Sequence, residues 1–219
     1  MVIKNQVGYS LVELLVALVI SLIVMGGIYL TSISQERNLH IEDRVAELQA
    51  NLRAGLYVLE RDLRLAGYDP LCIAPPCYDV GFTNATATSL TFTMRKPTTN
   101  TIQTIAYSLY DSQGDGDNDL GRDVDGSGNQ PLILNVDALN FVYFDKSGNR
   151  LNTFPLSDSD LKKIKVIEIT IVAHSEIPDP NYVSTQPFTN LQGETVFTPS
   201  SDHFRRRSIS SRVLCRNTF

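Results

Sequence analysis

Val7-Gly8-Tyr9-Ser10-Leu11-Val12-Glu13-Leu14 opens an apolar run that continues to Leu30, and this stretch decides how the rest of the chain is read. Between Tyr9 and Leu30 the only charged side chain is Glu13. About 20 apolar residues carry one helix across a bilayer core, so the run is long enough to span. Two features separate it from a plain anchor. A glycine closes a short polar leader, Met1 to Gly8, and a carboxylate stands one turn inside the apolar run. A standard secretory signal does not fit either. The run is too long, no Ala-x-Ala site follows it, and the basic start consists of Lys4 alone. Lys4 favours a cytoplasmic leader, with the chain emerging on the far side after Leu30.

Glu13 needs a reason. A carboxylate costs about 3 kcal/mol at the centre of a membrane helix and less toward the interface. Either Glu13 lies among the headgroups, or it meets a positive partner inside an assembly. A cut after Gly8 places a new amino group on Tyr9, four residues before Glu13. A neighbouring subunit's amino group would then neutralise Glu13 when such helices pack side by side.

Gly8-Tyr9-Ser10-Leu11-Val12-Glu13 resembles the class III prepilin signal of type IV pilins and type II secretion pseudopilins. The resemblance implies cleavage after Gly8 by a prepilin peptidase and methylation of the new N-terminal Tyr9. It also implies an assembly role for Glu13, the fifth residue counted from Tyr9. Tyr9 departs from the Phe or Met usual at that place. The implied fold is α+β: a long N-terminal helix, transmembrane and then amphipathic, packed on an antiparallel β-sheet. The implied partners are other minor and major pilins and an inner-membrane assembly platform. The implied location is the bacterial inner membrane, single-pass with a periplasmic C-terminal domain, followed by the pilus filament.

Beyond Leu30 the helical period persists. Ile41, Val45, Leu48, Leu52, Leu56, Leu59 and Leu63 recur at steps of three and four and define one apolar face. The opposite face carries charges from Glu36 to Arg64, Asp62 among them, and reads as solvated. Gly26-Gly27 and Gly55 are weak points for a long helix. Gly67, followed by Asp69-Pro70, ends it. One helix from about Ser10 to Ala66 follows, about 85 Å long at the usual rise. The expected layout is a leader at 1–8, a membrane and assembly helix at 9–30, its amphipathic continuation at 31–67 and a β-rich head at 68–219. The end of this helix, Arg61-Asp62-Leu63-Arg64-Leu65-Ala66-Gly67-Tyr68 with Cys72 soon after, resembles the corresponding stretch of PilW-type minor pilins. The resemblance implies a minor pilin that helps initiate pilus assembly. A J-like minor pseudopilin and a pilus-tip adhesin are the rival readings.

In the head the period changes to two. Ser89–Arg95 and Ile102–Tyr110 form an expected hairpin, and Asp137–Asp145 is a third strand. Lys163–His174 has isoleucines on both faces and so reads as a central strand. Phe204–Arg216 is the last strand. Residues 177–201 read as a long loop with a short hairpin near Thr195–Phe197, and a loop of that length is functional or mobile. The arginines of the last strand pair with local acids or meet an acidic neighbouring subunit.

Asp111, Gln113, Asp115 and Asp119 stand at offsets 1, 3, 5 and 9 of a stretch with glycine at offset 6. That pattern suits the start of a loop holding a structural calcium ion, since alternate side chains converge on one hard cation. Gln at offset 3 and Arg122 at offset 12 depart from the full pattern. The alternative is a solvated acidic loop. Of three cysteines, Cys72 and Cys77 form the natural disulfide pair in an oxidising compartment, although Cys215 could capture either. The net charge is -5, which offers no basic footprint for nucleic acid. His40, His174 and His203 assemble into no catalytic arrangement, so no enzyme is expected.

Overall fold

The computed structural model describes residues 10–72, 80–96 and 98–218. Leu11–Leu65 form a single helix, α1. Glu13 in its first turn and Arg64 in its last complement the helix dipole. At its end Gly67 takes the left-handed conformation (φ 75°), and its N–H donates to Thr93 O at 3.0 Å. A Cβ there would lie 2.9 Å from Asn217 O, so close approach as well as backbone angle calls for glycine. Two compact units divide the chain at Arg44.

In the first unit, the apolar side chains from Leu11 to Leu30 are all exposed. This is one helix long and apolar enough to cross a membrane, with none of its apolar window buried. Ser21 and Thr31 return their hydroxyls to the helix, donating to Ala17 O (2.7 Å) and Gly27 O (2.9 Å). Neither exposes an unpaired donor to an apolar surround.

The second unit holds the rest of α1 and the head. A five-stranded antiparallel sheet has the order β1 (Phe82–Ala85), β2 (Leu90–Arg95), β3 (Ile102–Tyr110), β4 (Asp119–Val124), β5 (Gln130–Ile133). A second, four-stranded antiparallel sheet has the order β11 (Arg206–Leu214), β8 (Val166–His174), β6 (Val136–Phe144), β7 (Arg150–Leu151). A short helix, α2 (Asp158–Leu161), is capped by Ser157 and precedes β8. Leu48, Leu52, Leu56, Leu59, Leu63 and Ala66 of α1 share one core with both sheets. Leu90 and Phe92 enter it from β2, and Ile167, Ile169, Ile171 and Ala173 from β8.

The helix, the β2–β3 hairpin, the central β8 and the last strand agree with the sequence reading. The head's antiparallel strands form two principal sheets, with β4 and β5 extending the hairpin sheet beyond the acidic stretch. One expectation needs correction here. Gly55 is a packing residue, not a bend: a Cβ there would lie 2.2 Å from Ile133 Cγ1, so glycine lets α1 meet β5. Within residues 177–201 the short hairpin expected near Thr195–Phe197 is present: β9 (Phe188–Thr189) pairs with β10 (Thr195–Phe197). Asn190 Nδ2 donates to Asn140 Oδ1 at 3.2 Å, Gln192 bonds Glu168, and Arg150 forks onto Glu194 at 2.5 and 2.8 Å. The loop thus provides partners for the polar outer face of β8 and β6.

The last residues return to the helix end. Asn217 Nδ2 donates to Arg64 O at 2.8 Å, and the Thr218 hydroxyl donates to Ile164 O at 2.8 Å. The Cys215 N–H donates to Lys165 O at 2.9 Å.

Candidate assembly surface

Glu13 lies on the exposed apolar helix, and its carboxylate accepts the Ser10 N–H at 3.3 Å. Ser10 and Glu13 have the Ser-x-x-Glu spacing of a capping box, in which a side chain three residues on satisfies an orphan N–H. The sequence reading weighed Glu13 only as a membrane cost or an intersubunit charge, although that spacing was visible. Gly8 and Tyr9 lie outside the described residues. A Cβ at Gly26 or Gly27 would meet nothing within 4 Å. Packing inside this chain therefore does not require either glycine.

The head is joined to the helix by a buried charge. Asp62, read from sequence as solvated, is only 2% exposed. Its Oδ2 accepts the Tyr107 hydroxyl at 2.9 Å and Arg122 Nε at 2.7 Å. Its Oδ1 accepts Arg61 Nε at 3.2 Å and a second Arg61 nitrogen at 3.1 Å. Burial, reinforced by the Asp62 charge, raises the Tyr107 pKa far above the ordinary phenol range. Burial works against the Arg122 charge, but the Asp62 bond and charge outweigh it and raise its pKa. The group pins α1 to β3 and β4. One spacing signal could have found it: Asp62 stands three residues after Leu59 and four before Ala66, within the buried face.

Comparisons with known proteins agree with this geometry. A family model described as the prokaryotic N-terminal methylation motif matches residues 3–29. A solved type IV-like pilin from Thermus thermophilus shares the fold, with a TM-score of 0.56 and 13% sequence identity. That likeness covers 78% of this chain and 98% of the Thermus chain. The fold is type IV pilin-like. No curated protein matches the chain. The motif implies, in general terms, prepilin peptidase processing and assembly with other pilins, and the apolar helix is consistent with an inner-membrane anchor.

In this pilin-like head the aspartate loop is used internally. Asp111 accepts N–H groups from Gly114 (2.6 Å), Asp115 (3.3 Å) and Gly116 (3.1 Å). The bond from Gly116, followed by the other backbone donors, holds its carboxyl below the usual range. Asp119 is buried at the start of β4 and accepts the Asn135 N–H at 2.9 Å and the Ser112 hydroxyl. Gln113 and Asp115 stay exposed. Among the described residues, no three His, Cys, Asp or Glu side chains gather as a metal ion requires. As placed, Asp111 and Asp119 accept hydrogen bonds from separate groups of the fold, while Gln113 and Asp115 face solvent.

Cys72 is disulfide-bonded, and Cys77, its expected partner, lies outside the described residues. Cys215 is free and buried, and burial pushes its thiol pKa up to about 12. The last strand's arginines mostly find local acids. Arg205 pairs with Asp179 (2.6 Å), Arg206 with Asp137 (2.9 Å) and Asp202 (2.5 Å), and Arg212 with Glu168 (3.3 Å). The buried His174 stacks edge-on against Phe204, with Nδ1 3.2 Å from Asp137 Oδ2 but lacking hydrogen-bond geometry.

Proposed function

We propose that this chain is a PilW-like minor pilin that helps initiate type IV pilus assembly. Made as a prepilin, it is cut after Gly8 and methylated on Tyr9. It waits in the inner membrane with its head in the periplasm, and it packs its N-terminal helix against those of other minor pilins to start the filament. The observation that carries this reading is the contrast within α1. From Leu48 to Leu63 its leucines are buried in the head's core, whereas from Leu11 to Leu30 its whole apolar surface is exposed around one carboxylate. A surface of that length requires either lipid or other helices.

The experiment is a deletion strain examined by electron microscopy. Loss of surface pili supports assembly initiation. Normal pili with a secretion defect would point to a pseudopilin, and normal pili with lost adhesion to a tip binding module. Glu13→Ala separates processing from assembly. The variant is expected to be cut after Gly8 yet to enter filaments poorly, and normal incorporation would sink the charge-pairing role.

A further inference from the structure

β11 is an edge strand of the four-stranded sheet, paired on one side with β8. The ladder fixes which of its backbone groups face outward. The Ser175 N–H donates to Arg205 O at 2.9 Å, while the neighbouring His174 N–H donates to Asn135 O on the β6 side. Bonded and non-bonded positions alternate in an antiparallel pair. The odd residues of β11 therefore bond β8, and Ser208, Ser210, Arg212 and Leu214 turn their N–H and C=O groups outward. Arg206 belongs to the same set, and its outward carbonyl is met by the Arg207 guanidinium at 3.0 Å. Among the described residues, no backbone group of another element bonds the other four, and all four are exposed.

The surroundings of this edge carry positive charge. A cleft of about 200 Å³ between α1 and β11 is lined by Gln49, Leu52, Arg53, Arg207, Ser208 and Ile209. Arg53 and Arg207 are exposed, and among the described residues neither meets a carboxylate, unlike Arg205, Arg206 and Arg212. In a chain of net charge -5 this patch is a local reversal. Charged edges guard against indiscriminate pairing. Two copies joined through β11 would set arginine-rich edges against each other, and like charges across a pair are unfavourable. An acidic strand would meet the opposite condition.

We infer that β11 accepts an extended acidic segment of another protein as an added strand. Main-chain bonds to Ser208, Ser210, Arg212 and Leu214 supply the pairing, and Arg53 and Arg207 select carboxylates. The inference stands whether the chain serves a pilus or a secretion system.

The test uses the full chain in detergent micelles and three fluorescent eight-residue peptides. One alternates glutamate and valine, one replaces glutamate by lysine, and one is the acidic peptide N-methylated at every second amide. The acidic peptide is expected to bind and to slow amide exchange at Ser208, Ser210 and Arg212 at least tenfold. The other two peptides are expected to do neither. The double variant Arg53→Glu/Arg207→Glu, at two exposed positions, should weaken binding at least tenfold. Ser210→Pro removes an outward N–H while keeping the backbone ladder to β8, losing only the Ser210–Thr170 hydroxyl bond (3.0 Å), and should abolish binding while the head stays folded. The N-methylated peptide makes the same comparison on the unaltered chain, should Ser210→Pro fail to fold. Equal binding of the lysine peptide, unchanged exchange at the three amides, or self-pairing of the chain through β11 would each overturn the inference.

Discussion

Removing the charge of Asp62 while keeping its shape, as Asp62→Asn, should destabilise the head by about 3 kcal/mol. Breaking a buried ion pair from one side costs on the order of 3–5 kcal/mol, because the remaining charge is left uncompensated. The Arg122 side chain is 24% exposed, so water relieves part of that cost and the lower figure applies. For a domain of this size each kcal/mol moves the melting temperature roughly 2–4 °C, so the expected fall is about 6–12 °C. Tyr107→Phe leaves the Asp62–Arg122 bond in place and removes one charge-assisted donor, a loss of about 1–2 kcal/mol. The Arg61 side chain is 54% exposed, and Arg61→Ala should cost about 0.5 kcal/mol or less. The order is therefore Asp62→Asn, then Tyr107→Phe, then Arg61→Ala. Thermal unfolding of the full chain in detergent, followed by near-ultraviolet circular dichroism, reads it directly. Asp62→Asn/Arg122→Met should be less damaging than Asp62→Asn alone, because no buried charge is stranded. A melting temperature for Asp62→Asn within about 2 °C of the parent, on the same scale, would refute the reasoning.

Other outcomes follow from single contacts. Bonds from Arg150, then Asn190, push the Glu194 carboxyl down to about 2 from an ordinary 4.5. A depressed carboxylate stabilises above its unfolded pKa and loses that contribution as the pH falls through the folded one. The difference in melting temperature between the parent and Glu194→Gln should thus be full above about pH 4.5 and vanish toward pH 2, and a difference that persists at pH 2 would contradict it. Gly55→Ala should lose about 1 kcal/mol, since overpacking against Ile133 outweighs the gain in helix propensity. Ile133→Val should recover part of the loss, and a stabilising Gly55→Ala would show that the contact relaxes freely. Cys215, buried with its thiol pKa pushed up to about 12, should resist iodoacetamide at pH 8 until the head unfolds. Rapid labelling of the native chain would count against that environment.

The chain's sequence carried its long helix openly, because period, length and the Gly67 stop all point one way. β2, β3, β6, β8 and β11 were legible for a similar reason: each alternates or carries branched residues over several positions. β4 was not. Asp-Leu-Gly-Arg-Asp-Val offers only one deeply buried apolar side chain, Leu120, and takes its place in the sheet from its neighbours. The spacing of the aspartates around it did not show that Asp111 also accepts three backbone N–H groups of its own loop. Asp62 was misread because charge outweighed position in the helical pattern. Its partners, Tyr107 and Arg122, lie 45 and 60 residues away and give no local sign of it. The cover formed by 177–201 was hidden for the same reason, since its partners Asn140, Arg150 and Glu168 are distant in sequence.

The return of Asn217 and Thr218 to the end of α1 has a consequence in time. Asn217, which meets Arg64 O and crowds Gly67, is synthesised 153 residues after Arg64. β8 likewise waits for β11, from 32 to 48 residues later along the paired register. Contacts of such long separation form slowly, and an incomplete sheet leaves its edge and apolar face open. The nascent head therefore passes through an interval in which its N-terminal helix is ready and its second sheet is not. During that interval β8 lacks its final partner strand, so a chain stalled or truncated before Arg206 would be a substrate for proteases and for mispairing rather than a shorter version of the same fold.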